Sequence, residues 1–406
     1  MTFILLFVAV IMAVLLFRSL MLDCDGKYAA LILNGFILRL FILLIDYFEI
    51  IEIPFSHNDA DGFHETAEGN QNSAFFVYYT NYSVFLTGLY YLTDCAKWFA
   101  QYINVTFGVL LLIYIRKILF MLEADDTAKK WVMMISAYMP FLIIYSGMLL
   151  REAWVSFFVV LSFYYFIRWY LSPEAGPRTV VLCVLSVFAA MLMHAGCIGL
   201  LVGYFLAFVT YNRQTNTFRI SKTSYISLFF ILILMAVFII NISVLGDKFV
   251  EALEDPGEAL SSKNEGEGGE SDYLTNLDFS NPVNVLLFFP IKMFYFLYSP
   301  IILNWRGLND IVAFLLDSSV YLGASWFIIK RHRVTDKFRL LRRYALIALF
   351  FTVFIFSFGT TNSGTAIRHR AKICSLILLT SALPEKKDED KSLIQHDEDS
   401  IPDPFR

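Results

Sequence analysis

Residues 344–383 read YALIALFFTVFIFSFG, then TTNSGTAIRHRAK, then ICSLILLTSAL, the polar block running from Thr360 to Lys372. Two apolar runs flank a segment in which Arg368, His369, Arg370 and Lys372 fall within five positions. A cation near hydrocarbon costs roughly 2.5–3.5 kcal/mol even on permissive insertion scales, so such a group at the start of a span must be met by something. The apolar runs decide the fold, and the cations between them raise the question of function.

Of the 406 residues, 58% are hydrophobic and 17% aromatic, and the mean hydropathy is +0.61. Runs near the roughly 20-residue length that crosses a bilayer recur along the chain. The predicted fold is all-α, a polytopic transmembrane bundle of about eleven spans near residues 2–17, 28–50, 97–119, 131–149, 153–170, 179–193, 196–210, 224–245, 310–329, 344–358 and 371–383. The first run has neither a basic n-region nor a small-residue cleavage site and is expected to be a retained span. Val283–Leu303 carries two internal prolines and a lysine. These interrupt a helical ladder, so the segment is expected to be re-entrant or interfacial. Residues 1–383 then form one membrane domain with outward loops at 51–96 and 246–309, and 384–406 form a charged, disordered cytoplasmic tail.

The formal charge of −4 implies no nucleic acid. The five cysteines are scattered, without CxxC or Cys/His spacing, so no metal and no cofactor are expected. Under the eleven-span arrangement, 22 of the 32 Lys and Arg fall on the cytoplasmic side, including the basic segments 211–222 and 330–343. The remaining polar clusters then open on the outer face.

Three clusters stand out. In the 360–372 segment, Arg368 and Lys372 share a helix face and Arg370 points elsewhere. Arginine forks suit a phosphate or pyrophosphate, although cations that snorkel to headgroups or pair with loop carboxylates would leave the same pattern. The first large outward loop, SHNDADGFHETAE, holds His57, Asp59, Asp61, His64 and Glu65. Its carboxylates are candidates for a general base, or with the histidines for a divalent metal, against the plain alternative of a solvated acidic loop. In SGMLLREAW, Arg151 and Glu152 interrupt two apolar runs, and His194 in MLMHAGCIG sits at a similar turn. Neighbours on a helix do not face each other, so Arg151 and Glu152 do not form a simple internal pair.

Together, SGMLLREAW, HNDADGFH and GTTNSGTAIRHRAK resemble the integral membrane polysaccharide polymerases of bacterial surface-glycan clusters, the Wzy-like and EpsG-like group, and more distantly the GT-C glycosyltransferases. The resemblance implies a polymerase at the outer face of the inner membrane that moves glycan from undecaprenyl pyrophosphate to a sugar hydroxyl of another lipid-linked unit. Its partners would be the polyprenyl pyrophosphate-linked oligosaccharide, the bilayer, a flippase and a chain-length regulator. Asp59 or Asp61 would be the base, and Arg151 would stabilise the leaving group. His57, His64, Glu152, His194, Arg368, His369, Arg370 and Lys372 would contact substrate. The Gly- and Glu-rich stretch SSKNEGEGGESD departs from the commoner polymerase pattern and reads as a flexible flap. A transferase using a polyprenyl monophosphate sugar is the alternative, and a lipid-linked glycan transporter is a third.

Overall fold

The computed structural model describes residues 1–23, 26–53, 57–73, 76–219, 271–274, 277, 282–331 and 333–386. The expected span at 224–245, most of the acidic loop and all but the first residues of the tail lie outside the described residues. Helices α1 to α5 cover Thr2–Asp23, Gly26–Tyr47, His57–Asn72, Asn81–Thr93 and Lys97–Met121. Helices α6 to α10 cover Asp126–Tyr138, Pro140–Gly147, Glu152–Leu171, Pro177–Met193 and Gly199–Thr210. A two-residue ribbon pairs Tyr211–Asn212 with Thr217–Phe218. Then follow α11 (Pro282–Tyr298), α12 (Leu308–Lys330, with a π-helical turn at Phe314–Ser318), α13 (Arg339–Phe358) and α14 (Ser363–Ser381).

Among the described residues, five helices are long and apolar enough to cross a membrane: Gly26–Tyr47, Lys97–Met121, Glu152–Leu171, Leu308–Lys330 and the segment Asp336–Phe358. At 1.5 Å per residue each spans about 30 Å. Large apolar side chains such as Phe3, Phe41, Trp326 and Ile329 are more than half exposed, which suits a hydrocarbon solvent. Of these five, α5 and α8 are the most buried. On α10, Gly199 and Gly203 lie one turn apart against α13. A Cβ on Gly203 would lie 2.4 Å from the Tyr344 carbonyl oxygen, so only glycine permits this close crossing.

Several expectations change. The segment 51–96, expected as an outward loop, contains helices α3 and α4. Ala60, Phe63, Ala67 and Asn70 are all buried, and their three- and four-residue spacing gives the polar stretch 57–72 one packed helical face. The 131–149 run is two helices broken at Pro140, which has no N–H for the Ser136 carbonyl. Arg39 turns that break to use. Its Nη1 donates to the Gly35 carbonyl at 2.9 Å, and its guanidinium lies 3.4 and 3.5 Å from the Ser136 and Ala137 carbonyls at the end of α6. The Val283–Leu303 segment is helical through Pro290 as far as Tyr298, so its prolines do not prevent a helix. Helix α14 begins at Ser363, capped by the Asn362 side chain, so the cationic motif lies within a helix instead of preceding a span at 371.

The two basic segments share one end of the molecule. Asn216 donates to the Asp336 carbonyl at 3.3 Å, Tyr170 at the end of α8 donates to the Lys337 carbonyl, and Lys337 pairs with Glu123. Lys386 donates its backbone N–H to the Arg333 carbonyl, tying the start of the tail to the same end. Helices α5, α8, α13 and α14 each have one terminus there. Their other termini, at Lys97, Glu152, Phe358 and Ser363, lie a helix length away and carry the polar clusters.

Candidate functional site

The site is built on the turn between α7 and α8. Asn104, buried on α5, donates its amide to the carbonyls of Met148 (2.7 Å) and Leu150 (2.8 Å), and Trp154 Nε1 donates to Asn104 Oδ1 at 2.6 Å. One amide thereby bonds two carbonyls of the turn and fixes Arg151 and Glu152, which follow it. Glu152, in the first turn of α8, is 1% exposed and points at α14.

Two cations of α14 meet Glu152. Arg368 Nε donates to Glu152 Oε1 at 2.7 Å, and Lys372 Nζ lies 3.3 Å from the same oxygen. The Arg368 fork reaches further, because Nη1 is ion-paired with Asp59 on α3. Arg368 therefore bridges carboxylates from two helices, and the four-residue spacing puts Lys372 beside it, as the sequence predicts. Arg151 donates to the Met193 carbonyl at 3.2 Å, lies over Phe63 of α3 and is within electrostatic reach of Lys372, His194 and His369. Three cations thus face two carboxylates. Among the described residues, Glu152 Oε2 and Arg151 Nε are buried without a hydrogen-bond partner.

The histidines complete the floor. The His194 ring stacks on Phe356 and meets the edge of His369 at 4.8 Å between centroids. His194 Nδ1 accepts from the Gly196 N–H, so the proton of its neutral ring sits on Nε2. Thr360 donates its only hydroxyl proton to the Phe356 carbonyl, so at 3.2 Å it accepts from His369 Nδ1, and His369 Nε2 is left as an acceptor.

Not every predicted residue joins this cluster. Arg370 lies on the opposite side of α14, fully buried. It is ion-paired with Asp317 in the π-helical turn of α12, and it donates to Ser318 Oγ at 3.0 Å and the Phe296 carbonyl at 3.1 Å. Residues two apart on a helix diverge, so Arg368 and Arg370 cannot clamp one anion. The same geometry separates Asp59, on Arg368, from Asp61, which is within electrostatic reach of His64. His64 lies apart from Arg368, with Nδ1 2.8 Å from the Tyr90 hydroxyl and Nε2 3.8 Å from Glu68. Burial and the Lys97 ammonium lower its pKa from the ordinary value. Glu65 is exposed. His57 opens α3, and its side chain lies outside the described residues.

Above the N-terminus of α14 opens a cleft of about 320 Å³ whose lining includes Asp272, Tyr273, Asn304, Trp305, Arg306 and Ser363. The Tyr273 N–H donates to the Thr361 carbonyl, and the Ser363 N–H donates to the Ser271 carbonyl, tying this wall to the start of the motif. Such a cleft offers the half-buried Trp305 ring and several polar groups to a ligand.

In comparisons with known proteins, no family model, curated protein or solved structure matches the chain.

The sequence reading missed Asn104, Asp317 and the His64 partners Glu68, Tyr90 and Cys95. Asp317 left a usable signal, as a lone carboxylate in the apolar run IVAFLLDSSVYLGASW that needs a buried partner.

Proposed function

We propose that the chain is a membrane-embedded glycosyltransferase that polymerises lipid-linked oligosaccharide repeat units at the outer face of a bacterial inner membrane. The observation that carries this reading is the double engagement of Arg368, with Asp59 on a polar helix and with buried Glu152, beside Lys372 and Arg151. A surplus of positive charge at the end of an apolar bundle favours a polyanion, and a polyprenyl pyrophosphate brings one while its tail stays in the bilayer.

The pairing also gives a sequence of events. A carboxylate tied to a guanidinium is a poor base, so Asp59 is inactive while it holds Arg368. An arriving pyrophosphate competes for the guanidinium and releases Asp59, whose side chain is 41% exposed and within reach of an acceptor. Asp59 then takes the proton of the attacking sugar hydroxyl. The new glycosidic bond forms as the bond to the pyrophosphate oxygen breaks, and Arg368, Lys372 and Arg151 take up the charge on the leaving group. Glu152 keeps the two α14 cations oriented throughout. The cleft lined by Tyr273 and Trp305 suits a sugar ring of either substrate. A flippase that delivers the lipid-linked units and a chain-length regulator are the implied partners.

Transfer from a polyprenyl monophosphate sugar would use the same geometry. A transporter reading draws on a different observation, the buried Arg370–Asp317 pair in a π-helical turn. The lipid-linked glycans of a deletion strain separate the three. Single complete units exposed outside indicate a polymerase, an incomplete unit indicates a transferase, and complete units retained inside indicate a transporter. Complementation with Asp59→Asn should lose on the order of 10²–10⁴ in polymer formation, and Asp61→Asn should restore it.

A further inference from the structure

We propose that His64, Glu68 and Cys95 form a binding site for a zinc-class divalent cation that pins helix α3 to the turn between α4 and α5. The proposal is independent of the polymerase reading. His64 and Glu68 are four residues apart on one face of α3, and Cys95 arrives from the turn that separates Thr93 from Lys97. One donor atom from each, a ring nitrogen, a carboxylate oxygen and a thiol sulfur, lies within 4.8 Å of the other two. His64 Nε2 and Glu68 Oε2 are already 3.8 Å apart. Tetrahedral bonds of about 2.0–2.3 Å to zinc place ligand atoms about 3.3–3.8 Å from one another, so the site closes by roughly an ångström. Glu68 can supply that movement, because its side chain is 49% exposed.

The surroundings orient the donors. With its proton on Nδ1, His64 donates to the Tyr90 hydroxyl at 2.8 Å and turns Nε2 toward Glu68, the outer-shell arrangement that sets the tautomer of a ligating histidine. Asp94 and Cys95 both adopt left-handed backbone conformations, with φ of 56° and 55°, which non-glycine residues rarely take. Their N–H groups both bond to the Tyr90 carbonyl, so the residue that orients His64 also holds the turn carrying the thiol. Metal binding would displace the thiol proton, because the thiolate is the ligand. A mixed nitrogen, oxygen and sulfur donor set suits zinc over calcium or magnesium, which prefer oxygen.

The consequence falls on α3. That helix carries Asp59 at its start and otherwise rests on one narrow apolar face, so a metal clamp near its middle would fix the carboxylate that meets Arg368.

The test uses the full chain, purified in detergent in a Cys24→Ser background, freed of metal with a chelator and titrated with Co²⁺ and Zn²⁺. One Co²⁺ should bind per chain with a thiolate-to-metal charge-transfer band that Zn²⁺ displaces. Affinity should fall about tenfold or more in His64→Ala and Glu68→Gln, and the band should vanish in Cys95→Ser. Zn²⁺ should also shield Cys95 from alkylation in the otherwise unsubstituted protein, a readout that needs no ligand variant to fold. An absent band, a band that survives Cys95→Ser, or alkylation unaffected by saturating Zn²⁺ would overturn the proposal and leave the Asp59–Arg368 chemistry untouched.

Discussion

Replacing Arg370 with Met should cost far more in assembly than in chemistry. Arg370 and Asp317 are both fully buried, and Arg370 also serves Ser318 Oγ and the Phe296 carbonyl, joining α14 to α11 and α12. Removing the guanidinium leaves Asp317 without its counter-charge in an apolar interior, an arrangement that costs about 3–5 kcal/mol. At 1.4 kcal/mol per tenfold, the folded-to-unfolded ratio falls by two to three and a half orders of magnitude, about as much as a protein of ordinary stability tolerates. Removing both charges with Arg370→Met and Asp317→Leu deletes the unpaired group along with the pair, so the double variant should recover most of the loss. The assay is thermal unfolding of detergent-purified protein, followed by size-exclusion chromatography, with membrane abundance scored in parallel. If Arg370→Met is as stable as the parent, or if the double variant is worse than either single one, the pair does not hold the bundle together as argued.

Arg368→Lys retains the charge but has no fork to reach a pyrophosphate while held by Glu152, so polymer formation should fall about ten- to a hundredfold, the equivalent of one charge-assisted hydrogen bond of about 1.5–3 kcal/mol, at unchanged membrane abundance. Gels of surface glycan from a complemented deletion strain measure it. Asn104→Ala strands the Leu150 carbonyl and the Trp154 N–H, each worth about 1–3 kcal/mol if left unpaired, and should lower the melting temperature and the activity together. In intact cells, a cysteine replacing exposed Glu65 should react with a membrane-impermeant thiol reagent, and one replacing Lys337 should not, the outcome expected if the basic end follows the positive-inside rule.

The solvent of the fold was legible because hydropathy is a local property. The shared end of the basic segments 211–222 and 330–343 was legible for a related reason: both were expected on one side, and Asn216 does touch Asp336. The shared face of Arg368 and Lys372 followed from helical spacing alone. What failed had two physical causes. Composition hid a period in the 57–72 stretch, where acidic and amide residues outnumber the apolar ones that make α3 a helix. Elsewhere the partner lay far away in sequence. Nothing local tells Arg370 that Asp317, 53 residues earlier, will lie against it, or tells the Arg151 turn that Asn104 will hold it.

Helix α14 carries charge on two faces, and the difference between them separates structure from chemistry. On one, Arg370 meets Asp317 charge for charge, sealed from solvent and hydrogen-bonded to two further groups. Any anion entering there would have to displace a buried carboxylate with no water to receive it, so that face holds helices together. On the other, Arg368 and Lys372 share Glu152 with help from Asp59, whose side chain is 41% exposed, and Arg151 adds a charge that pairs with no carboxylate among the described residues. There the competing carboxylate can move into water, and the surplus charge lowers the cost of bringing in a polyanion. An arginine pair two residues apart looks like one anion clamp in sequence, and the helix makes one of the two a structural tie and leaves the other beside a half-exposed carboxylate, where the proposed polyanion would compete.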